Sequence, residues 1–554
     1  MKKRLLAGLL TVCMMIPMAG CSVRNGETKY MSYDDAKTEL TSLLKKVDVD
    51  TVGNPSMYIY EDEISEADML ADIGTFPITV QGNGQIDLEI ATATEMSADA
   101  PDDWMNVVAK NFNQENVEID GKRVTVSVRK ITSGEVVTYI NSGGYRPNLY
   151  VPSNAAWGEM LKASGISVET LSERIAGNTA GILIKKDVYD TFKEKYGEVT
   201  VKSVLEASNA GDIKFAYTNP YTSSTGLNIL TAMLAAFDEQ NPLSETATGK
   251  LMEYQKTSPP VAYTTSVLRN QAAKGIINAM VMEKQAYINT PELKNYVFVP
   301  AGIRHDHPVY GFDWNTNEEQ EAAKMFVEYC LNEKSQKLAT DKGFNQDDNY
   351  VGQDTGMSGA DYLAAQKVWK QNKNGGRPII AVFVADVSGS MDGEPINNLK
   401  DSLIKTTSFI SSDYYVGLVS YSNDVTINLP VGQFDGLQRA YFAGEVDNLM
   451  AVGGTATYDA VLVGLDMLAK AAEEVPDAKL MLFVLTDGDT NQGYTLDRVT
   501  SVIGGMQVPI YSIAYNYNNT ADLEKLSNIN EAAFIKADSD DIINQFRNLF
   551  NVQM

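Results

Sequence analysis

The sequence predicts an α/β protein made of two successive units. Three observations lead there. The chain has 554 residues, more than one hydrophobic core holds together, so at least two domains are expected. From about residue 85 to 343, short β-branched and apolar runs alternate with stretches of helical spacing, the rhythm of parallel strands covered by helices. The same rhythm restarts at 378 and runs on, after a polar junction rich in Asp, Asn and Gly.

Charge and residue inventory narrow the function. Lys and Arg number 46 against 72 Asp and Glu, a formal net charge of −26. A nucleic-acid or anionic-membrane binder needs basic patches, so neither is expected. The cysteines are Cys13, Cys21 and Cys330, too few for a disulfide framework. The histidines are His305 and His307 alone, which removes Ser-His-Asp machinery and most zinc sites. No nucleophile–base pair and no Walker loop is evident, so a binding protein is expected and not an enzyme.

Residues 1–20 read as a targeting segment: Lys2, Lys3 and Arg4 precede a short apolar core. The following Met18-Ala19-Gly20-Cys21 resembles a bacterial lipobox, with Met18 where Leu is usual. The resemblance implies acylation of Cys21 and a lipid anchor on the extracytoplasmic face of the cell membrane. No later stretch is apolar for the roughly 18 residues of a spanning helix. Residues 21–83 read as a tether and lead-in with one amphipathic helix over 33–46.

In the domain expected over 84–345, strands are placed at 86–91, 124–128, 148–151, 181–185, 215–217 and 296–300. Helices are placed at 102–113, with Trp104, Val107, Val108 and Phe112 on one face, and at 155–163. In YTNPYTSSTGLNIL (217–230) a strand ends and Thr222, Ser223, Ser224 and Thr225 open a helix. Free N–H groups and hydroxyls there suit an anion, while an N-cap accounts for only one or two of the hydroxyls. Thr92, Thr94 and Glu95 follow the first strand, and Ser153 and Asn154 follow a later one. Glu95 disfavours an anionic guest and favours an amine or peptide. Arg304-His305-Asp306-His307 offers two imidazoles and a carboxylate to a metal, or forms a polar loop between lobes. Cys330 falls on the apolar side of a helix over 318–332.

Order and length over this stretch resemble a type 2 periplasmic solute-binding protein, in particular the bacterial extracellular solute-binding family that takes small anions. The resemblance implies two α/β lobes with a cleft between them, lined by the hydroxyls above. Residues 346–376 then read as a linker around one helix at 360–370.

In the last domain, expected over 377–554, strands are placed at 379–385, 416–422, 425–429, 480–486, 510–514 and 533–535. Helices are placed at 396–410, 456–472, 496–504, 521–527 and 539–550. The stretch VFVADVSGSM (382–391) ends a doubly buried strand in Asp386, with Ser388 and Ser390 in the loop beyond. Ligands of open α/β sheets bind outside such strand ends, and oxygens spaced two apart can converge on a hard cation. GGTATYDA then supplies Thr455, with Thr457, Tyr458 and Asp459 behind it, and FVLTDGD supplies Asp487. The three pieces in this order resemble the metal-ion-dependent adhesion site of von Willebrand factor A domains. The resemblance implies a doubly wound, Rossmann-like fold and a divalent cation, Mg²⁺ before Mn²⁺ or Ca²⁺. It makes Ser388, Ser390 and Thr455 direct ligands, with Asp386 and Asp487 in or near the coordination sphere. A protein partner's Asp or Glu would complete the octahedron. Asp392 and Glu394 are expected to be solvated rim charges. The expected function is a lipid-anchored protein that binds a partner through the metal and captures or senses a small solute. The alternative is the solute receptor of an ABC-type importer with an accessory A domain.

Overall fold

In the computed structural model the described residues are 30–58, 70, 72–257, 259–262, 265, 268–269, 272, 277–353, 355–515, 520–530 and 534–537. The targeting segment 1–20, Cys21 and the helix expected at 539–550 lie outside them. No helix among the described residues is long and apolar enough to cross a membrane.

The first strand, β1 (Val49–Thr51), precedes the middle domain. One lobe of that domain holds β2 (Ile78–Val80), β3 (Ile86–Thr92), β4 (Glu118–Ile119), β5 (Lys122–Lys130), β6 (Leu149–Val151) and β7 (Val168–Ser172). The other holds β8 (Asn178–Lys185), β9 (Phe215–Thr218), β10 (Val261–Ala262), β11 (Ala279–Glu283) and β12 (Tyr296–His305). The chain then returns to the first lobe with β13 (Val309–Phe312). The sheet orders are β2-β5-β3-β6-β13-β7, with β4 on β5, and β10-β9-β11-β8-β12. The lobes are therefore joined at two crossings, near 173–177 and 306–308. Parallel sheets were the expectation, yet β2 and β4 run against β5, and β8 and β13 run against their neighbours. Both β8 and β13 are the first strand after a crossing and enter their sheet from the opposite end. The stretch Arg304–His307 is this inter-lobe passage.

The C-terminal sheet contains β14 (Ile379–Asp386), β15 (Tyr415–Tyr421), β16 (Val425–Gln433), β17 (Lys479–Thr486), β18 (Ile510–Tyr515) and β19 (Phe534–Ala537). Its order is β1-β16-β15-β14-β17-β18-β19. All pairs are parallel except β15–β16. Every residue of β14 is buried, as its unbroken apolar run requires of a strand covered on both faces.

Two segments depart from the sequence reading. Residues 30–58, read as lead-in, fold onto the C-terminal domain. β1 lies parallel to β16 in register Val49 with Val425, and Val52 N–H donates to Ile427 O (3.0 Å). The helix Tyr33–Leu44 is N-capped by Ser32, carries Asp34 and Asp35 in its first turn, and buries Ala36, Leu40 and Leu43. These three join the core formed by the helices Thr457–Glu474 and Leu496–Met506. Lys37–Glu473 and Arg498–Glu39, both 2.6 Å, are exposed pairs that add little beside that burial.

The second departure is the helix Gly359–Asn372, read as part of a linker. It carries a Ser358–Asp361 capping box and lies across both lobes. Tyr362 belongs to the core of the first lobe. Ala365 and Trp369 belong to the core of the second, where Trp369 Nε1 donates to the Tyr217 hydroxyl (2.8 Å).

The docked N-terminal helix gives a direct test. Leu40→Ala is expected to destabilise the C-terminal domain by about 2–5 kcal/mol in urea unfolding, the usual effect of emptying a buried leucine site. A free tether would leave the transition unchanged.

Candidate functional site

The first site lies at the carboxyl ends of β14 and β17. Asp386 ends β14 and is fully buried. Its Oδ1 accepts from Ser388 N–H (2.8 Å) and its Oδ2 from the hydroxyls of Thr486 (2.5 Å) and Tyr421 (3.4 Å). The Ser388 and Ser390 hydroxyl oxygens are 3.1 Å apart, and Ser390 Oγ donates to Asp487 Oδ1 (2.8 Å). Asp386, Ser388, Ser390 and Asp487 thus form one connected chain of polar contacts.

Thr455 joins through its backbone. Gly389 N–H donates to Gly453 O (3.0 Å) and Val452 N–H to Val387 O (2.7 Å), which pins the threonine loop to the serine loop. Thr455 N–H donates to Asn491 Oδ1 (2.9 Å), and the Asn491 and Gln492 N–H groups donate to Thr455 O (3.0 and 3.2 Å). Gly454 makes this crossing possible: a Cβ there would fall 2.8 Å from both Asn423 Oδ1 and Asn491 Oδ1, closer than side chains pack. Asp459 Oδ1 accepts from Tyr494 N–H (2.8 Å) and steadies the far end of the third loop. Asp392 and Glu394 are exposed.

Burial raises the pKa of Asp386 despite the Thr486 and Ser388 hydrogen bonds, and it raises that of Asp487 despite Ser390. Two carboxylates and the Ser388 and Ser390 hydroxyls in one polar cluster, with the Thr455 loop pinned beside them, are a donor set for a hard cation, and a positive charge would relieve both acids. Among the described residues no group of three or more His, Cys, Asp or Glu could hold a metal. A cation here would depend on the hydroxyls as much as on the acids. The sequence reading missed Thr486, Tyr421, Asn423 and Asn491. Thr486 was visible beside Asp487, but the other three lie on separate elements.

The second site is a narrow hollow between the lobes of the middle domain, with about 20 Å³ open to a water-sized guest. Ala93, Thr94, Glu95, Thr132, Ser133 and Ser153 line it from one side, and Thr222, Ser223, Ser224, Thr265 and Glu283 from the other. The lobes touch beside it. Gly134 N–H donates to Thr222 O (3.1 Å), Trp157 Nε1 donates to Ser224 Oγ (2.8 Å), and Ser224 Oγ donates to Ser133 Oγ (3.0 Å). Gly134 permits the approach, because a Cβ would sit 1.8 Å from Tyr221 O.

Six of the eight hydroxyl and carboxyl candidates line this hollow. The other two do not, and the reading is corrected there. Thr92 is fully buried and its hydroxyl donates to Val151 O (3.3 Å). Thr225 is buried one position past the rim and its hydroxyl donates to Glu283 Oε1. Ser223 serves as the N-cap of the helix Ser224–Ala235.

Both histidines are fully buried at the second crossing, and each faces a different carboxylate. His307 Nε2 is 3.3 Å from Glu95 Oε1, and its Nδ1 is 2.8 Å from Ala176 O. His305 Nδ1 is 3.6 Å from Glu283 Oε1, and its Nε2 is 3.3 Å from Asn154 Nδ2. Burial pushes the Glu95 carboxyl up, but His307 and the donating Ser153 hydroxyl outweigh it and leave the pKa below the ordinary value. Asp306 turns away to Arg304 (2.8 Å), so the two imidazoles and this aspartate do not form one metal site. Glu283, Thr132 and Ser133 were missed. Glu283 carries the same signal as Asp386, an apolar strand ending in an acid. Cys330 is buried, as expected, and burial raises its thiol pKa.

Comparison with known proteins agrees with this division. The family model of the bacterial extracellular solute-binding protein matches residues 93–345, and that of the von Willebrand factor type A domain matches 381–548. Inter-alpha-trypsin inhibitor heavy chain H3 of Bos taurus is 34% identical over 183 residues, 30% of this chain and 20% of that protein. Heavy chain H1 of Sus scrofa is 28% identical over 198 residues, 33% of this chain and 21% of that protein. The chain spans about a fifth of the length of these relatives. Among solved structures, the sulfate-binding protein SubI from Mycobacterium tuberculosis H37Rv aligns with a TM-score of 0.36 at 14% identity, over 51% of this chain and 97% of that one. A von Willebrand factor type A protein from Catenulispora acidiphila aligns with a TM-score of 0.28 at 20% identity, over 32% and 42%. The chain therefore carries a bacterial extracellular solute-binding domain followed by a von Willebrand factor type A domain.

Proposed function

We propose that the protein is a lipid-anchored, extracytoplasmic binding protein. Its A domain binds a protein partner through a divalent cation, and its middle domain captures a small solute between two lobes. The observation that carries this reading is the connected cluster Asp386, Ser388, Ser390 and Asp487, with Thr455 pinned beside it. The hydroxyls of Ser388, Ser390 and Thr455 are the proposed direct ligands, with Asp386 and Asp487 supplying the negative charge. Mg²⁺ is the cation this oxygen set suits best. Bound there, it would offer a coordination place to a partner's carboxylate. Asp386 is too enclosed to meet a partner, whereas Ser390 is exposed and marks the open side. The importer-receptor alternative shares the cleft but leaves the metal loops without a role.

Three outcomes follow from this reading. Saturating Mg²⁺ is expected to raise the melting temperature of the A domain by about 5 °C or more over chelator, since mass action favours the form that binds. Asp386→Ala abolishes the rise, and identical curves with metal and chelator would overturn metal binding. Cys21→Ala is expected to move the protein from the membrane fraction to the soluble fraction, and unchanged fractionation would remove the anchor. Gly134→Val is expected to prop the lobes apart, read as a larger radius of gyration by small-angle scattering. An unchanged radius would show that the contact at Thr222 does not limit closure.

A further inference from the structure

We propose that the guest of the inter-lobe cleft is a small cation, received by the Glu283 carboxylate. The inference rests on the reading of the middle domain as a solute binder and specifies the charge of its solute. Glu283 ends β11 with 4% of its surface exposed, and it lines the hollow. Thr225 donates to its Oε1, while its Oε2 is buried with no hydrogen-bond partner among the described residues. A buried carboxylate oxygen left unanswered is costly, and it calls for a donor or a positive charge from the hollow.

The two histidines answer the two acids unequally. His307 places Nδ1 on the Ala176 carbonyl and so carries its proton there. Its Nε2 then meets Glu95 Oε1 at hydrogen-bonding distance (3.3 Å). His305 faces the Asn154 amide Nδ2 through Nε2 (3.3 Å), and its Nδ1 stands 3.6 Å from Glu283 Oε1, outside hydrogen-bond range. Glu95 thus has an imidazole within hydrogen-bonding distance and Glu283 does not.

The described lining residues include no Lys and no Arg. Arg269, nearby in sequence to Thr265, is bound to Asp102 (3.1 Å). Behind the first lobe's wall, Thr132 Oγ1 donates to the buried Glu135 (2.8 Å), a further acid. Hydroxyls and the N-terminus of the helix Ser224–Ala235 alone would suit an anion, but the uncompensated carboxylate facing them reverses that preference. The room open to a water-sized guest in the hollow is about 20 Å³, space for one small group as the lobes stand, so a larger guest needs the lobes to part. Both a small organic ammonium and a metal ion present this chemistry.

The test is calorimetric titration of the full chain carrying Asp386→Ala, which silences the A-domain loops. The probes are methylamine, ethanolamine and putrescine in one arm, Mn²⁺ and Ca²⁺ chlorides in a second, and sulfate, phosphate and molybdate in a third. Saturable binding in the first arm identifies an organic ammonium, and in the second a metal ion. Either supports the proposal when Glu283→Gln weakens it at least tenfold. Binding in the third arm alone overturns the proposal and leaves the solute-binding reading intact. Cation binding undiminished by Glu283→Gln also overturns it. No binding in any arm overturns both. The sign of the guest is read on the unaltered cleft, so the test holds even if Glu283→Gln does not fold.

Discussion

Asp386 is a carboxylate at the end of a strand buried on both faces, with no exposed surface of its own. Such a group is tolerated only where hydrogen bonds replace the water it has lost. The Ser388 backbone and the Thr486 and Tyr421 hydroxyls do this from three different elements. That requirement draws β14, β15 and β17 into register at their carboxyl ends and fixes where the loops beyond them begin. The polar cluster is a consequence. Once Asp386 is held, Ser388 and Ser390 can project only into the gap closed by the threonine loop and Asp487. The gap stays narrow because glycine forms the crossing at 453–454. The remaining strain is electrostatic: two acids whose pKa values burial drives upward share one small volume.

The middle domain meets the same constraint differently. Its acids sit on opposing lobes, and the groups that answer them come from the crossing between those lobes. His305 closes β12 and His307 precedes β13, so the two imidazoles lie on one short passage and face different walls. The passage is anchored to the first crossing, where Ile175 N–H lies 3.3 Å from the carbonyls of Asp306 and His307. Any rotation of one lobe on the other alters the distance from each imidazole to its acid. Closure and charge balance in the cleft are therefore parts of one structure.

What the sequence made legible was local. Asp386, Ser388 and Ser390 fall within five residues, and their spacing carries the geometry directly. The strand runs of the C-terminal sheet are long and apolar, so their positions were readable within a few residues. The strand β1 was not, because three exposed residues have no periodicity to detect and their partner lies at Val425–Ile427. The helix Gly359–Asn372 passed for a linker because its buried residues serve two cores. Tyr362, Ala365, Gln366 and Trp369 do share one stripe at i, i+3, i+4 and i+7, but that stripe is divided between two cores. Thr92 misled for the opposite reason. It lies next to cleft residues in sequence, but alternation along β3 turns it into the sheet.

The placement of these two overlooked segments changes how the domains relate. Residues 30–58 are bonded to the A domain from one side of the sequence, through β1 and the Ser56 N–H to Glu445 contact (2.7 Å). From the other side the chain re-enters the A domain at Asn374, whose amide donates to the Tyr414 hydroxyl (2.6 Å). The solute-binding domain thus lies between β1, which pairs with β16 of the C-terminal sheet, and β14, where the A-domain match begins. Its exit is the helix that touches both lobes, and seven residues, or about 10 Å of helix, separate Tyr362 from Trp369. Gln366 and Trp369 bind it to the second lobe through Pro220 O and the Tyr217 hydroxyl, both 2.8 Å. The same helix is packed closely on the first lobe, where a Cβ on Gly359 would lie 2.0 Å from Glu159 O. Six residues separate the end of that helix from β14, and β14 ends at Asp386. The inter-lobe cleft and the loops beyond Asp386 therefore lie at the two ends of one short stretch of chain.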